Sequence, residues 1–159
     1  MLMRYLWAAP TTLVGLAVAT LALPGGRLTC VDGVIEAHGP LLRWVLSHLT
    51  LLRGGVAAIT LGHVVVATDA KALEWTRAHE RVHVRQCERW GPLFLPAYAA
   101  ASLWAFAHAR PPYLCNAFER EAWRSAGFEP KFILDPDHAN VTDARRIARM
   151  SRAKLGDGG

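Results

Sequence analysis

The chain contains, at residues 78–83, the sequence Ala78-His79-Glu80-Arg81-Val82-His83. Two histidines four residues apart lie on one face of a helix, about 5–6 Å apart at Cβ, so their imidazoles can bind a single metal ion. Glu80 follows the first histidine, and its carboxylate can reach a water molecule beside such an ion without binding the ion itself. The pattern predicts a metal site with a general base next to it. A chance occurrence of H-E-x-x-H is the alternative.

The motif lies within a long predicted helix. Residues 70–90 contain neither glycine nor proline, and Gly91-Pro92 ends the run. We therefore expect a helix of about twenty residues that places both histidines on one face.

Length and composition indicate one domain that is partly membrane-associated. The 159 residues are 52% hydrophobic, with the apolar residues gathered in two blocks, and the net charge is +5. A basic chain can bind nucleic acid, but the sequence has no basic stripe interleaved with aromatics, no zinc knuckle and no glycine-rich phosphate loop. Nucleic acid is not among the expected partners.

The three cysteines do not predict a disulfide scaffold. Cys30, Cys87 and Cys115 are odd in number and form no C-x-x-C pair, so reduced thiols in the core are expected. Cys87 follows His83 by four residues and shares its helix face. Packing beside the site is its expected role, and a soft additional ligand is the alternative.

The first apolar block predicts a membrane anchor over residues 1–27. Residues 5–23 carry no charge and follow Arg4, and such a run is about long enough to span the hydrocarbon core. A secretory signal is the competing interpretation. The only cleavage pattern, Ala17-Val18-Ala19, is weak and is followed by further apolar residues, which favours an uncleaved anchor.

Two hairpins precede the motif helix. Residues 28–31 and 34–37 flank Asp32-Gly33, and residues 56–61 and 64–67 flank Gly62-His63, which predicts a small antiparallel sheet. His63, at a turn, is expected to be solvent-exposed. Residues 41–52 predict a helix packed on the core or the membrane surface. An edge strand near a metal cleft can hold an extended substrate by main-chain pairing.

The second apolar block, residues 92–109, is constrained by the site. A third metal ligand beyond Ala109 must return to the side of His79 and His83, which a single crossing of the bilayer forbids. The thirteen residues after Pro96 rise about 20 Å against a hydrocarbon core of about 30 Å. We expect a buried or membrane-dipping helix.

The next predicted helix, residues 116–123, holds two candidate carboxylates. Glu119 and Glu121 are two residues apart and point about 200° away from each other, so only one can face the metal. Two histidines, one carboxylate and an open position suit catalytic zinc, Zn2+, better than a structural site.

The C-terminal residues 136–159 form a basic polar tail. A solvated, disordered tail is expected, and a basic amphipathic helix over residues 142–155 is the alternative. The positive-inside rule favours a cytoplasmic tail, with the site on the same side. The cationic residues are Arg145, Arg146, Arg149, Arg152 and Lys154.

The order of an apolar anchor, H-E-x-x-H and then E-x-x-A resembles the gluzincin-type zinc metallopeptidases. The likeness is to their small membrane-associated members, the HtpX and CAAX prenyl protease group and the minigluzincins. It covers residues 69–126 and is specific at two short motifs. It implies that His79, His83 and Glu119 hold zinc and that Glu80 is the base, since Glu119-Arg120-Glu121-Ala122 matches E-x-x-A.

One position departs from the family pattern. The family's E-x-x-A is usually followed by an aspartate that orients a ligating histidine, and this chain has Trp123 there. Either another acceptor replaces the aspartate, or zinc binding is weak, or Glu121 is the ligand. Tyr113 and Asn116 are candidates to polarise a substrate carbonyl, with structural roles as the alternative.

The sequence thus predicts an α+β chain in which a transmembrane helix precedes a small zincin-like domain. We expect an anchor over 1–27, a metallopeptidase domain over 28–135 and the tail. The expected function is that of a membrane-anchored zinc metallopeptidase, with peptide or protein substrates and membrane lipid as partners. A non-catalytic metal-binding or scaffold protein at the membrane is the alternative.

Overall fold

The computed structural model describes residues 2–49 and 55–127, which include four strands and five α-helices. The α+β class is confirmed. The basic tail and residues 50–52 of the predicted 41–52 helix lie outside the described residues. In chain order the elements are α1 (Leu2–Ala19), β1 (Arg27–Val31), β2 (Val34–His38), α2 (Pro40–His48), β3 (Ala58–Leu61), β4 (Val64–Ala67), α3 (Ala70–Trp90), α4 (Phe94–Ala107) and α5 (Ala117–Ser125).

The four strands form one sheet in the order β1-β2-β4-β3. Both predicted hairpins are confirmed. Asp32 and Gly33 turn the first at φ values of 49° and 77°, the left-handed conformation that a two-residue hairpin turn requires. The prediction of an antiparallel sheet is wrong at the centre, where β2 and β4 run parallel. The reason is that α2 forms a crossover between the hairpins, which lets β4 pair with β2 in the same direction.

Helices cover both faces of this sheet. On one face, Val64 and Val66 of β4 pack in a cluster with Ala19 and Ala22 at the end of the first helical segment and with Leu42 of α2. On the other face, Val65 and Ala67 cluster with Ala72, Leu73 and Val84 of α3. Alternate residues of β4 therefore pack in two clusters, one on each face of the sheet, and the motif helix α3 packs on the second of these faces.

An ion pair between a buried carboxylate and a partly exposed arginine fixes α3 on the sheet. Glu36 of β2 is only 3% exposed, and Arg77 donates to its two carboxylate oxygens at 2.9 Å each. Arg81 lies 3.4 Å from the same carboxylate and donates to the carbonyl of Val31 at 2.6 Å. Because the two arginines flank His79 and Glu80 along the helix, this contact orients the motif relative to the strands.

The predicted motif helix is confirmed as α3, from Ala70 to Trp90. It begins at Asp69, whose carboxylate accepts a hydrogen bond from the Ala72 amide at 2.9 Å and so satisfies one of the free N–H groups of the first turn. It ends at Gly91, where φ is 55° and an added Cβ would meet the ring of Trp7. The glycine thus ends the helix and admits α1 to close contact.

The second apolar block forms α4, fourteen residues long or about 21 Å. A buried or membrane-dipping helix was expected, and the first of these alternatives is wrong, because within α4 only Phe94 and Ala105 are buried. Leu103, Trp104 and Phe106 are exposed by 67–69%. The described residues cover one side of this helix only. Whether it dips into a membrane stays a prediction.

The turn after α4 brings the chain back to α3. Asn116 is fully buried and donates to the Tyr98 carbonyl at 3.0 Å and to the Ser102 hydroxyl at 2.8 Å. Its side-chain oxygen accepts from the Phe118 amide and caps α5. One side chain therefore ties the start of α5 to α4, which gives Asn116 the structural role. Helix α5 then packs against α3.

The N-terminal helix packs on the rest of the protein through small residues. Residues 3–22 are apolar and long enough to cross a membrane, a test that a signal sequence or a core helix also passes. The inward positions of α1 include Ala8, Thr11, Gly15 and Ala19, all buried. A Cβ at Gly15 would come within 2.5 Å of the Leu61 carbonyl oxygen. The helix and the β3–β4 hairpin therefore approach each other at the level of the backbone.

His63 joins this contact. The expectation that it is solvent-exposed is wrong, since it is 5% exposed and lies beneath α1. Its Nε2 is 3.2 Å from Glu88 Oε1, its amide donates to the Thr12 hydroxyl at 3.1 Å, and its ring stacks on Tyr5 at 4.2 Å between centroids. The prediction erred because the sequence gives no sign that α1 folds back over the turn.

We predict that Gly15→Val destabilises the protein and loosens α1. The added side chain must overlap Leu61 and Val64, so a loss of about 1–3 kcal/mol in the free energy of unfolding is expected. Ala17→Val, on the exposed side of the same helix, is the matched control. Denaturant unfolding in mild detergent measures both. Equal stability of the two variants would contradict the close packing of α1.

Candidate metal centre

The two motif histidines point to one place inside the protein. His79 and His83 are both buried, and their Nε2 atoms are 3.1 Å apart. Their rings meet edge to face, with centroids 4.7 Å apart. The separation of four residues on a regular helix produces this arrangement, as the sequence predicts.

Glu119 reaches the same place from α5. It is 3% exposed; its Oε2 lies 3.2 Å from His79 Nε2 and its Oε1 3.3 Å from His83 Nε2. The three residues together form a buried group that could bind a metal ion. Donor atoms about 2.0–2.1 Å from a tetrahedral ion lie about 3.3 Å from one another, so the observed spacings fit such an ion.

The charges of the group are coupled. Burial by itself raises the pKa of Glu119, but hydrogen bonds to His79 and His83 and their charge outweigh it and hold the pKa well below its usual value. Burial lowers the pKa of His83, while its hydrogen bond to Glu119 and the charge of that carboxylate raise it, with a net pKa of about 9. In the metal-free protein at neutral pH, an ionised carboxylate therefore faces a protonated imidazole.

Glu80, the expected base, is buried beside this group at 5% exposure. The Thr60 hydroxyl of β3 donates to its Oε2 at 2.7 Å and lies 3.3 Å from its carbonyl oxygen. Its negative charge also contributes to raising the pKa of His83. Thr60 was not identified from the sequence, because strand β3 contacts α3 only in the folded protein.

Two phenols adjoin Glu119. Tyr98 of α4 donates to Glu119 Oε1 at 2.7 Å. Burial, followed by the negative charge of Glu119, raises the pKa of Tyr113 well above its usual value, so its proton stays on. Tyr98 was not among the residues predicted from the sequence. It is one of the few hydroxyl-bearing residues in the second apolar block, and that feature could have identified it.

The alternative ligand, Glu121, is placed elsewhere. Its carboxylate is 41% exposed and accepts from Gln86 Nε2 at 2.9 Å, and Arg89 lies 3.4 Å away. It does not belong to the buried group, as its position on the helix opposite Glu119 requires. Cys87 is likewise outside the group; it packs with Ala8 and Phe94, and burial raises its pKa to about 11.

Trp123 occupies the position at which the family pattern has an aspartate. Its ring packs on His79 with centroids 4.2 Å apart. Among the described residues, no group accepts a hydrogen bond from His79 Nδ1. His83 differs, because its Nδ1 lies 2.8 Å from Gln86 Oε1. Gln86 was not among the residues predicted from the sequence, although its position three residues after His83 puts it on the same helix face.

No protein-family model, curated protein or solved structure matches this chain. The likeness to gluzincins therefore rests on the two motifs and on the geometry of the buried group.

We predict that the purified protein binds one divalent metal ion per chain. His79→Ala, His83→Ala and Glu119→Ala each remove a donor, so each should abolish tight binding. His48→Ala, an exposed histidine on α2, should bind as the wild type does. Metal content by mass spectrometry and Zn²⁺ titration against a chromogenic chelator provide the measurements.

The pH dependence of the same titration is an internal check. A metal must displace the His83 proton, so affinity should rise about tenfold per pH unit from neutrality and level off near pH 9, where the imidazole is already neutral. A wild type that takes up no metal at any pH, with unchanged behaviour of all three variants, would refute the site.

Proposed function

We propose that this protein is a membrane-associated zinc metallopeptidase. The observation that carries the proposal is the buried convergence of His79, His83 and Glu119, with the Glu80 carboxylate one residue from the first of them. Family likeness lends no independent support, so the case rests on what these groups can do chemically.

The donor set favours zinc. Two imidazole nitrogens and one carboxylate are the ligands of many catalytic zinc sites, which keep a fourth position open, whereas structural sites close with four protein ligands. Cys87 is buried away from the group and does not complete it. When bound, zinc supplies a Lewis acid that acidifies water and polarises a peptide carbonyl.

Glu80 is the proposed general base. It accepts a proton from water as the water oxygen adds to the carbonyl carbon of the substrate, and it returns that proton to the amide nitrogen as the C–N bond breaks. The hydrogen bond from Thr60 holds one carboxylate oxygen, which fixes the orientation of the other. Tyr113, which keeps its proton, is a candidate to donate a hydrogen bond to the substrate carbonyl oxygen.

We propose that an extended substrate binds along strand β3. This strand lies at the edge of the sheet, and its Thr60 contacts Glu80 directly. A peptide that pairs with the free edge of a strand is held through its main chain, largely independently of its sequence. A substrate on β3 would therefore pass beside the base.

The surface of α1 supports association with a membrane. Its small residues face the protein, while large apolar side chains face outward, which is the reverse of a helix in a water-soluble domain. The exposed side chains on α1 include Met3, Leu6, Trp7, Leu13 and Val14. Helix α4 adds Leu103, Trp104 and Phe106, and Ala8 and Phe94 connect the two helices. We propose that lipid covers both.

The second candidate function is a metal-binding scaffold without turnover. Trp123 favours it, because it leaves Nδ1 of His79 without the carboxylate acceptor that the family pattern has at this position. Such outer partners of a ligating histidine commonly change metal affinity tenfold or more. Metal binding with no cleavage across a broad peptide library would favour this function over the enzyme.

We predict that Glu80→Gln binds zinc like the wild type and cleaves nothing. The substitution keeps the shape of the side chain and a partner for Thr60 but removes the base, and a loss of at least 100-fold in kcat is expected. Glu74→Gln, an exposed residue on the same helix, is the control. Cleavage is followed with a quenched peptide library. Undiminished turnover by Glu80→Gln would overturn the mechanism.

We also predict that Leu13→Lys detaches the protein from membranes. A lysine near the centre of an inserted helix costs about 2.5–3.5 kcal/mol, enough to lower partitioning by two orders of magnitude. Leu28→Lys, an exposed leucine of β1, should have no such effect. Flotation with phosphatidylcholine vesicles measures both. If Leu13→Lys floats as well as the wild type, α1 does not face lipid.

A further inference from the structure

Among the fully buried side chains of the described residues, Gln86 is the largest polar one, and the proposed chemistry leaves it unused. It is fully buried and lies between the metal group and α5. Burying an amide is costly unless both its ends are hydrogen-bonded. The hydrogen-bond partners of Gln86 therefore indicate its role.

The amide has only one orientation that satisfies its neighbours. One end faces the carbonyl of Phe118 at 3.1 Å and the carboxylate of Glu121 at 2.9 Å, both of which only accept hydrogen bonds. The NH₂ group must lie at this end. The oxygen must then lie at the other end, where it faces His83 Nδ1 at 2.8 Å.

This orientation determines the tautomer of His83. An amide oxygen only accepts, so Nδ1 must carry the hydrogen. In the neutral imidazole, Nε2 then has the lone pair, and Nε2 is the atom that faces His79 and Glu119. A ligating histidine is held in this way when its second nitrogen donates to a fixed acceptor.

We propose that Gln86, anchored by Glu121 and the Phe118 carbonyl, is the positioning residue of the metal group. It fixes His83 in the tautomer that can bind metal through Nε2. The proposal rests on the proposed metal site but not on proteolysis.

The same contacts give the two carboxylates of α5 separate roles. Glu119 projects into the group as a donor, and Glu121, on the opposite face, holds the amide that orients His83. The acceptor comes from α3 itself, one turn beyond the histidine, so no carboxylate at position 123 is needed for His83. Trp123 packs on the other histidine, His79. The hydrogen bonds of Gln86 are to His83, Glu121 and the Phe118 carbonyl instead.

The first test measures zinc affinity by competition with a chelator. Gln86→Leu removes the acceptor at similar size and should weaken binding 10–100-fold while one zinc still binds at saturation. Glu121→Ala leaves the Phe118 carbonyl to hold the amide and should weaken binding by only a few-fold. Thr76→Val removes a different buried hydrogen bond of α3, from the Thr76 hydroxyl to the Ala72 carbonyl, one turn before His79 and ten residues before Gln86. It should bind zinc normally, because neither residue contacts Gln86 or His83.

A second measurement does not depend on the variants. In the zinc-loaded wild type, labelled with ¹⁵N-histidine, NMR should find the His83 hydrogen on Nδ1 and the metal at Nε2. Zinc at Nδ1 of His83, or Gln86→Leu with the affinity of the wild type, would overturn the positioning role alone. A wild type that binds no zinc would overturn the metal site together with it, and zinc binding without peptide cleavage would overturn only the enzyme.

Discussion

The site depends on one interaction, the contact of the two Glu119 carboxylate oxygens with the Nε2 atoms of His79 and His83. A buried carboxylate is unfavourable unless positive charge or strong donors surround it. Here a proton on His83 and the hydroxyl of Tyr98 provide them. The metal-free group is therefore held in place by the same convergence that would bind an ion, because the proton occupies the electrostatic role of the metal.

That convergence requires α5 to return to the side of α3, and α4 makes the return possible. At about 21 Å, α4 is shorter than a bilayer span, and Asn116 binds its backbone and caps α5 in one contact. On the opposite side, Arg77 and Glu36 hold α3 against the sheet. The metal group thus lies between α3, which the Arg77–Glu36 ion pair holds on the sheet, and α5, which the Asn116 amide ties to α4.

The sequence allowed the local features to be predicted but not the contacts between distant elements. Turn residues and helical periodicity act over a few residues. They predict the two hairpins, the motif helix and the orientation of one α5 carboxylate toward His79. The parallel β2–β4 pair, the burial of His63 and the contact of Thr60 with Glu80 depend on how the elements meet, for which one sequence has no periodic signal. Gln86 lies between these cases, since its helical spacing was visible but its partners were not.

The buried polar groups around the site are difficult to explain by stability alone. Replacing a buried charged cluster by apolar residues of the same volume is often neutral or stabilising, so stability alone is a weak reason for burying His79, His83, Glu119 and Glu80 together. Each also requires a partner, which Thr60, Tyr98 and Gln86 supply. A bound ion changes this balance, because its binding free energy adds to the free energy of folding. A ligand that binds two imidazoles and a carboxylate would account for the cluster, and the reaction that we propose at that ligand would account for the neighbouring Glu80.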